Sequence, residues 1–482
     1  MQKGGEKAMT QLNYRYLLRI ILEANTPLQI GSGEKGIKTD SLVVRDVNDM
    51  PFIPGTTLAG LIAHSLGSVK EDIMGSQENG SRLIVTEAKL LDKNGDVMDG
   101  LVDWAELDAE NKDFLDNYKR LPIRQHVRID DKGTAKDGGK FDEEVVLKGS
   151  RFCFELELIG AKEDKEKINT LLSIILSPTF RIGSGSRSGF GDVKIVACYR
   201  KDIDLSIEDD MKLYLQKSSK LGSSWTGWET VNESELKRPD SCDGWAHYKL
   251  TLQPEDFMLF GSGFADPDVN ADMSYVRETY IKWSDDKGEI EEQKKTVLIP
   301  ASSVKGALSH RTAFHYNKLS EVAILQDGKL KNAETIDDVI GKNNDAVKAI
   351  FGSEGEKVNN KLENKQRGNI LISDVIKTTN ATPKILNHVS IDRFTGGAID
   401  GALFMEQTLY AKGESFDIDI MIANEAFAGE HGTNIQKAFE AALNDITSGM
   451  LPLGGGVNRG NGVFIGEAKK YNKENKQWEK LV

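Results

Sequence analysis

Residues 181–192 read RIGSGSRSGFGD and run into the apolar alternation of VKIV; a second such stretch, LGGGVNRGNGVFI, spans 453–465. Glycine this dense means that backbone approaches a neighbour closely or takes φ values that other residues avoid. That neighbour is a dinucleotide, a protein surface or a nucleic-acid backbone. The dinucleotide fingerprint needs a third glycine opening a helix after a strand. Here Ser188 holds that position, and the loop follows a helix and enters a strand, so the context is reversed. A glycine turn without a ligand stays open. Bare amides with one guanidinium inside each stretch, Arg187 and Arg459, suit the approach of an anionic phosphodiester chain.

The elements that carry these loops occur twice. TPLQIGSG (26–33) corresponds to DFMLFGSG (256–263), and PFIPGTTLAGLIAHS (51–65) to VLIPASSVKGALSHR (297–311). IMGS with SRLIVTEA (73–76, 81–88) corresponds to IFGS with GNILISDV (350–353, 368–375). RQHVRID (124–130) corresponds to LNHVSID (386–392), and the glycine loops close the series. Separate blocks recurring in one order indicate a duplicated domain. The expected units are 1–200 and 244–482, joined by a polar linker at 201–243 with one helix around Met211–Gln216.

Within each unit a strand (YLLRIILEA; HYKLTLQP) leads to a GSG loop. A proline (Pro54; Pro300) and a Thr/Ser pair read as the N-cap of an apolar helix. Strands follow (RLIVTEA; NILISDV; RFCFELELIG; SFDIDIMIA), then a second helix (KEKINTLLSIIL; NIQKAFEAALNDI) and a last strand. This order is α+β and ferredoxin-like, or RRM-like.

Composition bounds the function. No run of eighteen apolar residues exists, so no membrane-spanning helix is expected, and the N-terminus lacks a secretory pattern. Three scattered cysteines without CxxC spacing point to a reducing compartment, the cytoplasm. Seven histidines without ligand spacing argue against zinc. A net charge of −13 argues against indiscriminate nucleic-acid binding, but a local basic groove decides the matter. Arg120, Arg124, Arg128, Arg181, Arg187 and Arg200 are the expected groove residues.

The GSG loops, the P-G-(S/T)-(S/T)-L-K-G type of helix start, the FGS–strand block, HVSIDRFTGGAIDGALF (388–404) and the terminal glycine loops together resemble RAMP-superfamily proteins. More narrowly they resemble backbone subunits of type III CRISPR effector complexes, fused in tandem. The resemblance implies two ferredoxin-like domains with inserted loops and thumb-like hairpins. It also implies binding of crRNA, complementary target RNA across it, and neighbouring backbone and large subunits as partners. Some members cut the target with one aspartate in the loop after the first strand. Carried over, that residue is Asp40 in EKGIKTDSLVVRD (34–46) and Asp272 in FADPDVNADMSYVRE (264–278), each followed by an arginine (Arg45; Arg277). Asp46, Asp266 and Asp268 are the rivals under another loop alignment.

Such cleavage needs no protein nucleophile, because the RNA 2′-OH attacks the adjacent phosphate. The protein holds an in-line geometry and moves a proton. A divalent cation, Mg²⁺, held by Asp40 or Asp272 would polarise the phosphate; no nucleotide cofactor is expected. Expected RNA contacts are Gly31, Ser32, Gly33, Gly261, Ser262 and Gly263 in the GSG loops. Gly183, Gly185, Arg187, Gly189, Gly454, Gly455, Gly456, Asn458 and Arg459 follow in the glycine loops. Thr56, Thr57, Ser302, Ser303 and Lys305 stand at helix starts, where free amides and the helix dipole favour phosphate, although ordinary capping would use the same hydroxyls. Copy one has Ala59 in place of Lys305. Arg124, His126, His388 and Arg393 belong to the thumb segments, where a buried, hydrogen-bonded histidine is an equal alternative. The competing functions are a non-catalytic crRNA-binding backbone subunit and a crRNA-processing endonuclease, which would need a histidine near its glycine loops.

Overall fold

The computed structural model describes residues 12–481 except 37–38, 131–132, 264, 266–268, 285, 292–295, 323–324, 327–328, 331–334, 337–338, 354, 359–360 and 364. Two ferredoxin-like units appear. In the first, an antiparallel sheet runs Leu83–Val85, Arg151–Gly160, Tyr14–Ala24, Val193–Asp204. Helices Gly55–Ser65 and Lys165–Leu176 cover one face, with Leu58, Ile62, Ile168 and Leu171 meeting Tyr16, Leu18 and Ile20. The second unit repeats this as Ile370–Ile372, Phe416–Ala423, Trp245–Pro254, Phe464–Asn472. Its helices are Ala301–Leu319 and Gly432–Thr447. Among the described residues no helix is long and apolar enough to cross a membrane.

The two opening strands differ in pattern for a packing reason. HYKLTL alternates because only Tyr248, Leu250 and Leu252 face the core. YLLRII does not alternate because both faces are covered. The expected linker does this. The closing strand runs on to Asp204, a helix follows at Glu208–Leu215, and Glu229–Thr230 adds an edge strand. Trp225 packs with Leu17 and Ile203 on the outer face. There Arg19 pairs with Glu155 at 2.9 Å and lies 5.0 Å from the Trp228 ring centre.

The Thr/Ser pairs are not N-caps, which corrects the sequence reading. Pro54 and Pro300 occupy the cap positions without a side-chain cap bond, and Thr56, Thr57, Ser302 and Ser303 lie in the first helical turns. Proline sets φ before the first turn, so no hydroxyl cap is required.

The units join through buried ion pairs. Arg124, at the base of the first unit's hairpin, binds Glu278 and Asp374 of the second, the latter at 3.0 Å. All three side chains are nearly inaccessible, at 6%, 2% and 1% exposure. Arg181 donates to the Ser373 hydroxyl at 3.0 Å, and Arg187 donates to the Gly368 carbonyl. Gly189 pairs with Ser373, and an added methyl there would overlap the Asp374 carboxylate. The hairpin Tyr280–Ser284/Lys287–Glu291 clasps the first unit: Ile281 enters its core and Trp283 donates to the Gly149 carbonyl at 2.7 Å.

Glycine loop geometry yields a stability prediction. Gly462 has φ +80° and abuts the Leu453 carbonyl, whereas Gly306 is helical with open space around it. Gly462→Ala should cost more than about 1 kcal/mol and Gly306→Ala should stabilise by about 0.5–1 kcal/mol. Urea unfolding followed by circular dichroism reads both; equal effects would contradict the packing described.

Candidate nucleic-acid interface

Hydrogen bonds fix which positions of the two units are equivalent. Ser32 N donates to Leu42 O and Ser262 N to Ser274 O; Val44 N donates to Ile30 O and Val276 N to Phe260 O. Asp40 and Asp272 therefore occupy one position in two copies. Each grips the hairpin of its own unit. Asp40 N donates to Asp142 Oδ1 at 2.9 Å and Asp142 N to Asp40 Oδ2 at 3.3 Å. Asp272 N donates to Met405 O at 2.9 Å, and Asp272 Oδ2 accepts from Met405 N at 2.8 Å. Both aspartates are exposed at the foot of a projecting hairpin. Among the rivals, Asp46 accepts from Asn48 and Met50 amides and closes a turn. Asp266 and Asp268 lie outside the described residues.

The arginines that follow the aspartates are held within the protein. Arg45 pairs with Glu144 at 2.8 Å, and Arg277 donates to the equivalent Gln407 at 2.9 Å. They brace the aspartate loops against the hairpins.

The hairpins are Ile123–Ile129 with Ala135–Glu144, and Thr382–Ile391 with Ala398–Tyr410. Their tips turn on Asp130 and Asp392, which accept backbone amides of Thr134 and of Phe394 and Thr395. The Thr395 and Phe394 amides hold the Asp392 carboxyl below its ordinary value. Arg393 is exposed beside them, and Phe394 is 99% exposed. Val127, Ile129 and Phe141 on one hairpin, and Val389, Ile391 and Leu403 on the other, also stay exposed. An apolar, solvent-facing ribbon of this kind marks an interaction surface.

His126 and His388 are tied at the hairpin bases. His126 stacks on Phe141 with ring centres 4.8 Å apart and meets Glu143 at 3.2 Å. His388 stacks on Phe404 at 4.8 Å and meets the buried Glu406 at 2.9 Å. Arg459 also binds Glu406. These three side chains organise the hairpins and are engaged inside the protein. His247 and His315 lie in other elements, next to Asp419 and Asp445.

The glycine loops superpose one residue away from the sequence pairing of their arginines. Ile182 N donates to Gly191 O and Leu453 N to Gly462 O, while Phe190 N and Asn461 N donate to Gly185 O and Gly456 O. Arg187 therefore corresponds to Asn458, and Arg459 to Ser188. Gly183 and Gly454 lie against the Gln29 and Leu259 carbonyls, and Gly185 against Phe190, so these glycines serve contacts within the protein. Gly456 lies against Asn461, and Gly455 against Leu259.

The six expected groove arginines do not line one groove. Arg124, Arg181 and Arg187 converge on the joint between units. Arg200 pairs with Asp202 at 2.9 Å on the sheet, and Arg120 and Arg128 are exposed elsewhere. The physical reason is that the second unit supplies partners for the first three: Glu278 and Asp374 for Arg124, the Ser373 hydroxyl for Arg181 and the Gly368 carbonyl for Arg187.

A cationic cluster nevertheless remains at the second helix start. Burial, with Arg367 and Arg181 nearby, pushes Arg187 down to about 10; burial and Arg187 push Lys305 down. Like charges that depress one another favour an incoming anion. Ser302 and Ser303 stand beside Lys305 on the same helix, whose first amide, that of Ala301, already donates to Asp374 Oδ1 at 2.8 Å. In the first unit Thr56 and Thr57 stand at the equivalent turn, without a lysine.

Sequence reasoning passed over Gly60 and Gly306. Both are exposed inside helices at equivalent positions, and neither has a described atom within 4 Å of an added methyl. A helical glycine costs about 0.5–1 kcal/mol relative to alanine. With no protein neighbour to require it, the glycine leaves room for an external group. The signal was present as a glycine inside both apolar helix patterns.

The exposed GSG loops complete the surface. Gly33 has no described neighbour, whereas Gly263 abuts Gln125 of the first hairpin. Each unit thus carries a GSG loop, an exposed aspartate tied to an apolar hairpin, and a helix start, the second of which lies against Gly189 of the first unit's glycine loop. No described group of three or more His, Cys, Asp or Glu residues has metal-holding geometry. Asp40 with Asp142 fits an ion only in the Mg²⁺ manner, with one or two carboxylates and the remaining ligands from phosphate and water.

No curated protein matches the chain. The family model described as the RAMP superfamily matches residues 21–194 and 281–465. These two stretches fall one on each ferredoxin-like unit, and the chain therefore belongs to the RAMP superfamily.

Proposed function

We propose that this chain is a crRNA-binding backbone subunit of a type III CRISPR interference complex that cleaves complementary target RNA at two places. RAMP-superfamily membership supports the coarser part of this reading, a CRISPR-associated RNA-binding role. The observation that carries the finer part is the matched placement of Asp40 and Asp272, exposed and anchored to a projecting hairpin in each unit.

Each hairpin wedges between target bases and unstacks the nucleotide beside it. This brings a 2′-OH in line with its phosphate, which supplies most of the rate advantage by orientation. The aspartate accepts or relays the 2′-OH proton. A bound divalent cation would polarise the phosphate and neutralise developing charge. Lys305 with Arg187, and the amides of the helix starts, hold the guide backbone.

The alternative, a non-catalytic backbone, draws support from one observation: both carboxylates accept hairpin amides, a bond that orders a loop without chemistry. The complex reconstituted with guide, partner subunits and Mg²⁺ separates the readings. Two cuts in complementary RNA are expected, one for each aspartate; protected guide with intact target would select the structural role.

Phe394 yields a test of the hairpin. Its side chain is 99% exposed and supports nothing inside the protein. Phe394→Ala should leave the unfolding midpoint unchanged and weaken target RNA binding by about 1–3 kcal/mol, the usual value of one base–aromatic stack. Unchanged affinity in a filter-binding titration would remove Phe394 from the interface.

A further inference from the structure

A cleft of about 620 Å³ lies between the two units. The clasping hairpin Tyr280–Ser284 and residues 373–376 of the second unit form one side, and residues 24–26 and 148–149 of the first form the other. The volume is that of a small-molecule site. None of the described GSG loops, hairpin tips or helix-start hydroxyls lines it.

The carboxylates of this cleft are all engaged. Glu23 pairs with Arg151 at 2.9 Å and with Lys194 at 2.8 Å, and Asp192 pairs with Arg238 at 2.7 Å. Asp374 binds Arg124 and the Ala301 amide. Asp417 accepts the Thr251 hydroxyl and lies 3.5 Å from Lys249, and Asp419 meets His247 at 3.6 Å. Two lysines of the wall, by contrast, have no carboxylate partner among the described residues. Lys148 donates to the Ile376 carbonyl at 2.7 Å, and Lys282 is exposed.

A third cation stands behind the wall. Arg181 is 7% exposed, and its Nε and Nη1 have no described hydrogen-bond partner. Its Nη2 donates to the Ser373 hydroxyl, which lines the cleft. That hydroxyl keeps its own proton to donate. Asp192, the carboxylate that attracts Arg181 most, already holds Arg238. Burial pushes the Arg181 guanidinium below its ordinary value, and burial with Lys194 does the same to Lys148. A buried cation without a carboxylate of its own is costly, and low-dielectric walls focus its field into the cleft. Two lysines and a hydroxyl lining one space suit a dianion with several oxygens, as a phosphate group has.

We infer that this cleft binds a small phosphate-bearing molecule through Lys148, Lys282 and the Ser373 hydroxyl, with Arg181 behind them. Lys148 and Arg181 belong to the first unit, and Lys282 and Ser373 to the second, so the bound anion ties the units together. Nothing in this site depends on RNA binding or cleavage.

Differential scanning fluorimetry on the full chain without RNA, at constant ionic strength, tests this with sodium phosphate and with AMP. Both should raise the unfolding midpoint saturably, by about 3 °C, because the site exists only in the folded chain. Lys282→Ala, at an exposed position, should raise the half-saturating concentration about tenfold. Arg181→Met should weaken binding as much without lowering the midpoint of the unliganded chain, since it leaves no carboxylate without a partner. Lys305→Ala, at the second helix start, should keep the wild-type response. Saturation by AMP well below phosphate would support a nucleotide as ligand, and equal saturation the phosphate group alone. A flat midpoint with both probes would overturn the site. So would a response that Lys305→Ala removes and Lys282→Ala keeps. Circular dichroism confirms that the variants retain the fold.

Discussion

Asp40→Asn and Asp272→Asn together are expected to abolish target cleavage, by about 100-fold or more, while guide and target binding persist. Asparagine is the informative substitution. Its side-chain oxygen still accepts the Met405 or Asp142 amide, so the hairpin stays anchored while the proton acceptor is lost. Alanine removes both roles and is expected to loosen the loop by the value of an exposed hydrogen bond, about 0.5–1.5 kcal/mol. Each single asparagine variant should erase one cut and leave the other. Gel mapping of labelled target reads this directly. Undiminished cutting by the double variant would dismiss both aspartates, and loss of target binding by the asparagine variants would make their role architectural.

The second large effect lies at the joint. Arg124→Met leaves Glu278 and Asp374 buried with their common cation gone, and should destabilise the chain by about 3–5 kcal/mol. Burial already raises the Glu278 carboxyl above its ordinary value, with Arg124 pulling it down. Removing that pull raises it further. The sign follows: the native state then holds a proton that the unfolded chain releases, so stability falls as pH rises above the usual carboxylate range. The deficit of Arg124→Met should accordingly be largest near neutral pH and shrink toward pH 5. Guanidinium unfolding at the two pH values measures it. A neutral-pH loss under about 1 kcal/mol would show that the joint is hydrated and weak.

Much of the architecture was legible in the chain. Block order predicted two ferredoxin-like units, and the strand and second-helix segments form where their periodicity places them. The expected linker was read as polar, with one helix, and its placement was not legible; Trp225 and Trp228 cover the outer face of the first sheet. Its signal was the unbroken YLLRII run, which only a strand covered on both faces needs. The helix caps were misassigned because threonine and serine after proline look like caps, although proline itself takes that position.

The sequence alone determined the duplication and the fold of each unit, since both rest on local pattern and order. The pairing of Asp40 with Asp272 was implied by the family resemblance, with rivals in the same loops, and the hydrogen bonds of the two loops fixed it. Tertiary structure decided what the glycine loops and arginines meet. Gly189 closes on Asp374, Arg124 on Glu278, and Arg187 on Gly368, each far away in the chain. A dense run of glycines and arginines announces close approach and positive charge, but not the identity of the partner. That depends on how the two units settle against each other, and buried carboxylates win a guanidinium, that of Arg124, that spacing alone assigned to RNA.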